Sequence, residues 1–512
     1  MEKKIAIIDL GSNSVRMIIM KVYEDKTYKM IEQEKEMVRL SEGMGKDLIL
    51  KAEPIQRTLN TLRLFKKLIE AHNVADANII AVATAAVRKA GNRDIFIELV
   101  EKSTGLKLTI LSGKEEAYFG YLGVINSIAV DNCLIVDIGG ASTEMVWVVN
   151  RQIKESTSLP YGAVVLSETF LGKDEASPEK MQKLETFLHN RLSAVSWLKK
   201  AVKLPIIGIG GTIRTLAKID KRKNAFPLEN LHNYHLSAEE FFTIYEQIIT
   251  SSLETRKKIP GLDKNRADII AGGLALVKTL LQLQNTSQLI ISGNGLREGL
   301  FYHKYLQEIH YPDRIITNVL EHSLENILKT YDIKIKHSFH VQKLALSLFD
   351  QTQSLHELGP DARKLLAAGA LLHDIGTYVD YYNHHKHGFY LIQNSRIYGL
   401  RIKEILMCAF IVAMHRDLEF KKNWKTYGML ISREDYEVIK KLSLFVRIAE
   451  NLDRNEFESI DRIHCTISEK TVKVELLTGN TPELELAAAM KSAKEFKKLF
   501  KKNLQVCLTK IN

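Results

Sequence analysis

A short segment that occurs twice constrains the fold of this chain more than any other feature. Residues Ile7–Ser14 read Ile-Ile-Asp-Leu-Gly-Ser-Asn-Ser, and residues Ile135–Ser142 read Ile-Val-Asp-Ile-Gly-Gly-Ala-Ser. Each copy is an apolar run that ends in an aspartate and continues into a glycine turn, as a buried strand does when it leaves a sheet. The repeat therefore predicts two similar subdomains that face each other.

The N-terminal part of the chain, up to about residue 310, alternates short apolar runs with longer amphipathic stretches. The runs are flanked by Gly, Ser or Asp, which is typical of buried strands; they are Ile5–Asp9, Ile79–Ala83, Leu108–Leu111, Leu134–Asp137, Ile206–Ile209 and Leu289–Ser292. Gln56–His72 and Ser177–Trp197 have apolar residues at helical spacing. This alternation predicts an α/β fold with central sheets.

The pattern changes near Gln307–Pro312. Beyond this point strand-like runs become rare, and the amphipathic segments read as helices: Ser338–Phe349, Asp361–Ile375, Lys403–Met414 and Leu486–Phe500. Lys470–Leu477 alternates like a strand. A chain of 512 residues should hold several domains, because single cores rarely grow past about 250–300 residues. We predict two α/β subdomains over 1–125 and 126–309, an all-α domain over 310–465, and a strand–helix tail over 466–512.

The composition narrows the class of protein only partly. A formal net charge of +11 favours polyanions such as a nucleotide or a phosphate chain, although a solvated surface would give the same balance. Zinc-finger spacing, an RRM signature and a basic heptad region are missing from the sequence, so we expect no nucleic-acid partner. No apolar run approaches the roughly 20 residues of a membrane helix, and no secretory signal follows Met1. We expect a cytoplasmic protein with no membrane partner.

The two glycine turns suit phosphate binding. Glycine allows positive φ and lets backbone N–H groups approach an anion closely. The turns also carry short side-chain donors, namely Ser12, Asn13, Ser142 and Thr143. Asp9 and Asp137 would repel a phosphate unless a cation lay between them, and Mg²⁺ prefers carboxylate and phosphate oxygens. One such turn would be an ordinary β-turn, but two after matched strands indicate a phosphate-binding cleft.

Four further motifs lie at or after the ends of predicted strands. In Leu111–Tyr118, the paired glutamates Glu115 and Glu116 can be explained by the helix macrodipole, or one of them can act as general base on water. Thr84 and Arg88 could reach the cleft from the end of another strand, where the planar Arg fork suits phosphate. Gly208–Thr212 and Ser292–Gly299 are glycine turns that are weak evidence singly, but their joint placement after strands supports a cleft at this edge of the sheets.

Five motifs in order resemble those of the exopolyphosphatase / guanosine pentaphosphate phosphohydrolase family: Asp9–Ser14, Ala83–Arg88, Ser112–Ala117, Asp137–Glu144 and Gly293–Gly299. The resemblance spans residues 1–306. It implies an actin-like ATPase fold of two ribonuclease H-like subdomains with mixed sheets. It also implies Mg²⁺-dependent removal of the terminal phosphate from inorganic polyphosphate or pppGpp.

The resemblance also implies roles for individual residues. Glu116 matches the catalytic base, and Asp137 and Glu144 match acidic positions that hold Mg²⁺ or the attacking water. The phosphate-binding positions are Asp9, Gly11, Ser12, Asn13, Thr84, Arg88, Gly139, Gly140, Ser142, Gly210 and Thr212. One departure is Ala141, where the family often has a third glycine. A methyl group there would narrow the loop if φ were positive.

Histidines and aspartates in the helical part follow the order His…His-Asp…Asp. They are His337, His373, Asp374 and Asp453, a set that can hold a divalent metal on neighbouring helices. The order resembles the HD phosphohydrolase domain. His385, His387 and His415 could complete a second metal position or line a path for phosphate. His384, His385 and His387 could equally form a solvated basic loop. A structural extension without metal is the alternative for the whole domain.

The sequence supports several functions. The leading hypothesis is an exopolyphosphatase with Glu116 as general base, and the nearest alternative is a pppGpp 5′-phosphohydrolase that uses the same cleft. A sensor that binds polyphosphate or an alarmone without turnover, and an actin-like kinase, are rivals from other classes. Phosphoryl transfer needs positioning and charge neutralisation more than covalent help, so no nucleophilic Ser or Cys is required. We expect a homodimer.

Overall fold

The computed structural model describes residues 2–45, 47–172, 177–418, 420, 424–479 and 482–510. The chain divides into two compact units, residues 1–319 (unit 1) and 320–512 (unit 2). The strands are β1 (Lys3–Leu10), β2 (Val15–Val22), β3 (Tyr28–Glu36), β4 (Ile79–Ala83), β5 (Leu108–Ile110), β6 (Cys133–Ile138), β7 (Thr143–Val149), β8 (Gln152–Leu159), β9 (Ile206–Gly210), β10 (Tyr234–Ser237), β11 (Gln288–Ile291), β12 (Arg462–Ile467), β13 (Thr471–Thr478) and β14 (Asn503–Lys510).

The helices of unit 1 are α1 (Ala52–Ala71), α2 (Ala85–Lys89), α3 (Arg93–Thr104), α4 (Gly113–Ile125), α5 (Ala163–Leu166), α6 (Pro178–Ser193), α7 (Gly211–Lys223), α8 (Ala238–Ile249), α9 (Leu253–Arg256), α10 (Ile270–Gln284) and α11 (Leu296–Glu308). After α12 (Val319–Thr330), which begins at the boundary, unit 2 contains α13 (Ile335–Gln351), α14 (Gln353–His356), α15 (Pro360–Leu372), α16 (His384–Asn394), α17 (Ile402–Met414), α18 (Arg433–Asn451), α19 (Glu483–Met490) and α20 (Ala493–Phe500). None of the helices in the described residues is long and apolar enough to cross a membrane.

Unit 1 contains two mixed sheets with closely similar topology. The first has the strand order β3-β2-β1-β4-β5, and the second has the order β10-β11-β9-β6-β7-β8. In the first sheet β1 runs antiparallel to β2 and parallel to β4. In the second sheet β6 makes the same two pairings with β7 and β9. The α/β prediction with duplicated mixed sheets is therefore confirmed, and each central strand is an apolar run because both its faces are covered.

Helices α4 and α11 pack against each other at unusually close range. A Cβ on Gly299 would lie 1.8 Å from the carbonyl oxygen of Phe119, and one on Gly123 would lie 2.3 Å from that of Gly295. Real Cβ atoms do not approach oxygen this closely, so both positions require glycine. The crossing fixes the first turns of α4 and α11, which carry Glu116 and Arg297.

Unit 2 is mostly helical, with one three-stranded sheet of order β12-β13-β14. The predicted strand over Lys470–Leu477 is found as β13. The prediction of one helix over Leu486–Phe500 was wrong, because the chain forms α19 and α20 with a break after Met490. Periodicity did not reveal the break because both helices pack against α18, the second through stacking of Phe500 on Phe445.

Candidate active site

The two copies of the repeated segment form the same hairpin. In the first, the Gly11 N–H donates to the Ser14 carbonyl oxygen at 3.1 Å, and Asp9 lies opposite Arg16 across β1 and β2. In the second, the Gly139 N–H donates to the Ser142 carbonyl oxygen at 3.0 Å. There Asp137 lies opposite Glu144 across β6 and β7. The duplicated hairpins therefore present an aspartate with a different facing residue in each half.

The two turns touch. A Cβ on Gly140 would lie 2.2 Å from the Ser12 hydroxyl oxygen, so only glycine allows this approach. Neither Gly139 nor Gly140 has a positive φ, and at position 140 it is the close approach of the first turn that requires glycine. Gly210, at φ 99°, does need the glycine backbone. Ala141 lies outside the left-handed region, so its methyl group causes no strain there.

A cleft of about 120 Å³ lies between the two turns. The predicted residues that line it are Asp9, Gly11, Ser12, Asn13, Thr84, Glu116, Asp137, Gly139, Gly140, Ser142, Glu144 and Gly210. Two predicted phosphate-binding residues, Arg88 and Thr212, are not among its lining residues. Thr212 is buried beside α10, where a Cβ on Gly273 would lie 2.6 Å from its hydroxyl oxygen.

Glu115 and Glu116, in the first turn of α4, make different interactions. Ser112 caps the helix by accepting from the Glu115 N–H at 3.2 Å, and the Glu115 carboxylate accepts from the Ser112 N–H at 2.7 Å. This capping box satisfies Glu115 and leaves Glu116, one position further on, to face the cleft. The macrodipole and capping explanation therefore fits Glu115.

Arg88 holds the Glu116 carboxylate in place. Its Nη1 donates to Glu116 Oε1 and, at 2.5 Å, to the Leu111 carbonyl oxygen. Burial raises the pKa of Glu116 above its ordinary value, and the nearby Glu144 raises it further, while Arg88 opposes both effects. A carboxyl group whose pKa is raised toward neutrality is suited to take a proton from water.

The carboxyl groups of the second hairpin are also buried. Burial raises the pKa of Asp137 to about 6, and burial followed by the charge of Asp137 raises the pKa of Glu144. The Ser158 hydroxyl donates to Glu144 Oε1 at 2.8 Å. Buried carboxylates on adjacent strands are costly without a cation, and an all-oxygen donor set is what Mg²⁺ prefers. Asp137 and Glu144 therefore fit a magnesium ion.

Four arginines complete the cleft, and none was singled out from the sequence: Arg16, Arg214, Arg266 and Arg297. The Arg266 guanidinium lies against Gly211, where a Cβ would fall 2.0 Å from Nη2. Burial, then the charge of Arg297, lowers the pKa of Arg214 to about 10. Within the described residues, Asn13 Nδ2 and Arg297 Nη1 are buried without a hydrogen-bond partner. Unpaired donors among buried cations indicate a site for an anion.

The second predicted group lies in unit 2. His337 Nδ1 lies 2.7 Å from Asp453 Oδ2, and His373 Nε2 lies 3.5 Å from Asp374 Oδ2. The structure thus brings the four predicted residues together. It also brings His384 and His415 to Asp374, whereas His385 and His387 belong to neither of the metal-competent sets found among the described residues.

Duplicated mixed sheets, touching glycine turns and a buried carboxylate beside cationic donors define a phosphohydrolase with an actin-like fold. Residues 18–308 match the model of the Ppx/GppA phosphatase family, and residues 319–498 match the model described as Ppx/GppA phosphatase, domain III. The chain belongs to the Ppx/GppA phosphatase family.

Individual relatives are similar over different lengths. A guanosine-5′-triphosphate,3′-diphosphate pyrophosphatase of Pseudoalteromonas translucida is 29% identical, over 80% of each chain. A bifunctional 3-dehydroquinate synthase/phosphatase of Fusobacterium nucleatum is 33% identical, but the match covers 56% of this chain and only 45% of the relative's length. Among solved structures, the Aquifex aeolicus family member is 30% identical with a TM-score of 0.52, covering 60% of this chain and 99% of that one. An exopolyphosphatase from Cytophaga hutchinsonii has 26% identity and a TM-score of 0.55, covering 59% and 98%.

Proposed function

We propose that the cleft of unit 1 releases terminal orthophosphate from inorganic polyphosphate, with Glu116 as the general base. The position of Glu116 carries this proposal, since it lies at the cleft beside both glycine turns and has a raised pKa. A protein that only binds phosphate has no need for such a group. The donors of the two turns and the arginines would hold the phosphate chain, and Glu116 would accept a proton from the attacking water.

Magnesium completes the proposed site. Asp137 and Glu144 are the residues that would hold the ion, which when bound would neutralise charge on the phosphate oxygens. Without a cation, the negative charge of these carboxylates in their ionised form would oppose the binding of a phosphate anion beside them. The cleft residues themselves would orient the chain and align the water.

A second candidate is hydrolysis of pppGpp, which the name of the Pseudoalteromonas relative supports. The lining of the cleft favours polyphosphate, because none of the described residues that line it is aromatic. A guanine base gains much of its binding energy by stacking on aromatic side chains. A linear phosphate chain needs only N–H donors and cations, which this cleft provides.

The test is a phosphate-release assay with long polyphosphate, pppGpp and ATP, with Mg²⁺ present or chelated. We expect the highest kcat/KM with polyphosphate and no release after chelation. Glu116→Gln should lower kcat by at least about a hundredfold and leave polyphosphate binding near normal. The matched control is Glu115→Gln, since Glu115 caps the helix and does not line the cleft. Equal loss of binding and turnover in Glu116→Gln would refute its role as the base.

A further inference from the structure

The last two residues of α2 hold different parts of the cleft. Arg88 donates to the carboxylate of Glu116, in the first turn of α4. Its neighbour Lys89 donates through Nζ to the carbonyl oxygen of Ala141 at 2.9 Å and to that of Pro160 at 3.2 Å. Helix α2 follows β4 of the first sheet, whereas Ala141 and Pro160 follow β6 and β8 of the second sheet. Lys89 therefore links the first half of unit 1 to the second glycine turn.

Three successive carbonyl oxygens of the second glycine turn accept hydrogen bonds. Backbone N–H groups of the segment after β8 donate to the first two, both at 2.9 Å; the pairs are Ala163 to Gly139 and Val164 to Gly140. That segment lies directly against the turn, because a Cβ on Gly162 would lie 2.5 Å from the carbonyl carbon of Gly140. The third oxygen, that of Ala141, accepts from Lys89. Of these three donors, only Lys89 belongs to the first half of unit 1.

These hydrogen bonds set the direction of the N–H groups that a phosphate would meet. The C=O and the N–H of one trans peptide group point in opposite directions. When the carbonyl oxygens of 139–141 are held, the N–H groups of Gly140, Ala141 and Ser142 therefore point the other way. These three residues line the cleft. Successive backbone N–H groups with a shared direction form a concave site for an anion.

We propose that Lys89 is a positioning residue for phosphate binding, which holds the Ala141 carbonyl oxygen and thereby aims the Ser142 N–H at the bound phosphate chain. This inference rests on the proposed function of the cleft. Lys89 is not among the residues that line the cleft, so it acts on the chain through the turn. Because Arg88 fixes Glu116, helix α2 sets the distance between the base and the donors of the second turn. Donors displaced by about 1 Å would no longer align the terminal phosphate with the base.

A second explanation for Lys89 is electrostatic attraction alone. The Lys89 ammonium group is close enough to Glu144 and Glu116 to interact with their charges, so it is also close to where a phosphate chain would lie. A cation that only attracts the chain acts over a distance, and dissolved salt screens such an attraction. A hydrogen bond in direct contact with a carbonyl oxygen orders the turn at any salt concentration. The two explanations therefore differ in how the effect of Lys89 responds to salt.

Binding of polyphosphate of defined chain length tests the proposal. It is measured by calorimetric titration of the full chain in a Glu116→Gln background, where no turnover is expected. We expect Lys89→Met, which keeps the length of the side chain but removes its donors, to raise the Kd at least about tenfold with an unchanged number of sites. In the otherwise wild-type chain, the same substitution should raise KM for phosphate release by a similar factor. A loss of folded protein would instead lower the number of sites and kcat.

Three comparisons complete the experiment. Lys89→Arg keeps a cationic donor and should stay within about threefold of the parent Kd, while Lys89→Gln, which is neutral and shorter, should behave like Lys89→Met. Lys107→Met is the matched control, an exposed lysine outside the cleft. Each titration is repeated at about 0.05 and 0.5 M KCl, and we expect the ratio of the Lys89→Met Kd to the parent Kd to be the same at both. Thermal unfolding checks that every variant is folded.

Two results would overturn the role of Lys89. One is an unchanged Kd and KM in folded Lys89→Met. The other is a Kd ratio that falls to about one at the higher salt concentration, which would assign Lys89 to electrostatic attraction alone. Failure of the proposed function gives a different result, because a wild-type chain that binds polyphosphate and releases no phosphate would refute hydrolysis while the Kd comparison still decides the role of Lys89.

Discussion

Gly140 of the second turn lies directly against Ser12 of the first, with room for no Cβ between them. We expect Gly140→Ala to separate the two turns and to lower kcat/KM for phosphate release at least tenfold, because donors displaced by even about 1 Å no longer align with the phosphate. Steady-state phosphate release measures the effect. The matched control is Ala141→Gly, which changes a neighbouring residue without strain. Unchanged kinetics in Gly140→Ala would mean that the turns do not need to touch.

The pH dependence of turnover should report Glu116. As a base it acts only when ionised, and its raised pKa means that activity increases as pH rises through the neutral range. Arg88 lowers that pKa, so Arg88→Gln should raise it and move the rising limb of the profile upward by roughly one pH unit. The control is Arg93→Gln, an exposed neighbour outside the cleft. A shift of the limb toward lower pH would contradict the sign of this interaction.

Asp137 should reduce the stability of the metal-free protein. Burial raises the pKa of Asp137 in the folded protein to about 6, so between about pH 4 and pH 6 the folded state binds more protons than the unfolded state. The loss of stability caused by ionising the buried carboxyl group is therefore absent below about pH 4 and complete above about pH 6. Asp137→Asn should therefore raise the free energy of unfolding at pH 7.5 by about 1–3 kcal/mol in chelator.

Denaturant unfolding of wild type and Asp137→Asn at pH 4 and pH 7.5 measures this difference. Added Mg²⁺ should stabilise wild type more than the variant, because the variant lacks one of the proposed ligands. A variant that is less stable than wild type at pH 7.5 in chelator would show that burial does not penalise the ionised carboxylate.

The crossing of α4 and α11 should be intolerant of added volume. Gly299→Ala would place a methyl group on the carbonyl oxygen of Phe119, and we expect a loss of about 1–3 kcal/mol in stability. Thermal unfolding measures the loss. Gly479→Ala is the control, since a Cβ there meets nothing within 4 Å. Similar unfolding temperatures for the two variants would mean that the helices separate at little cost.

Strands that are covered on both faces were predictable from their apolar runs, and so was the short edge strand β5, although its residues are only partly buried. All six predicted runs of unit 1 correspond to strands, namely β1, β4, β5, β6, β9 and β11. The edge strands β3 and β8 were missed, since half-exposed residues leave no continuous apolar run. The partner strands β2 and β7 were missed too, although they carry Arg16 and Glu144.

Some residues of the candidate site could also be recognised from the sequence, and others could not. Carboxylates within motifs, such as Glu116 and Asp137, were recognisable because neighbouring glycines and strands mark them. Arg214 lies in α7 and Arg266 in a short 3-10 helix, Lys264–Arg266, and no local sequence pattern marks either residue. Only the tertiary fold brings them to the cleft. In unit 2, the choice of His384 over His385 depends on which side of α16 faces Asp374. Adjacent histidines in a sequence do not reveal that side.

The pairing of Asp9 with Arg16, and of Asp137 with Glu144, has a consequence for how a linear molecule would lie in the cleft. Two identical halves related by a pseudo-twofold axis would accept a chain equally well in either orientation. The residue that faces the aspartate is Arg16 in the first half and Glu144 in the second, so the two orientations of a bound chain are no longer equivalent. One wall carries its own cation where the other carries a second carboxylate, so the cleft has a polarity that its backbone lacks. The duplicated fold is close to symmetric, while its electrostatics assign a head and a tail to whatever it binds.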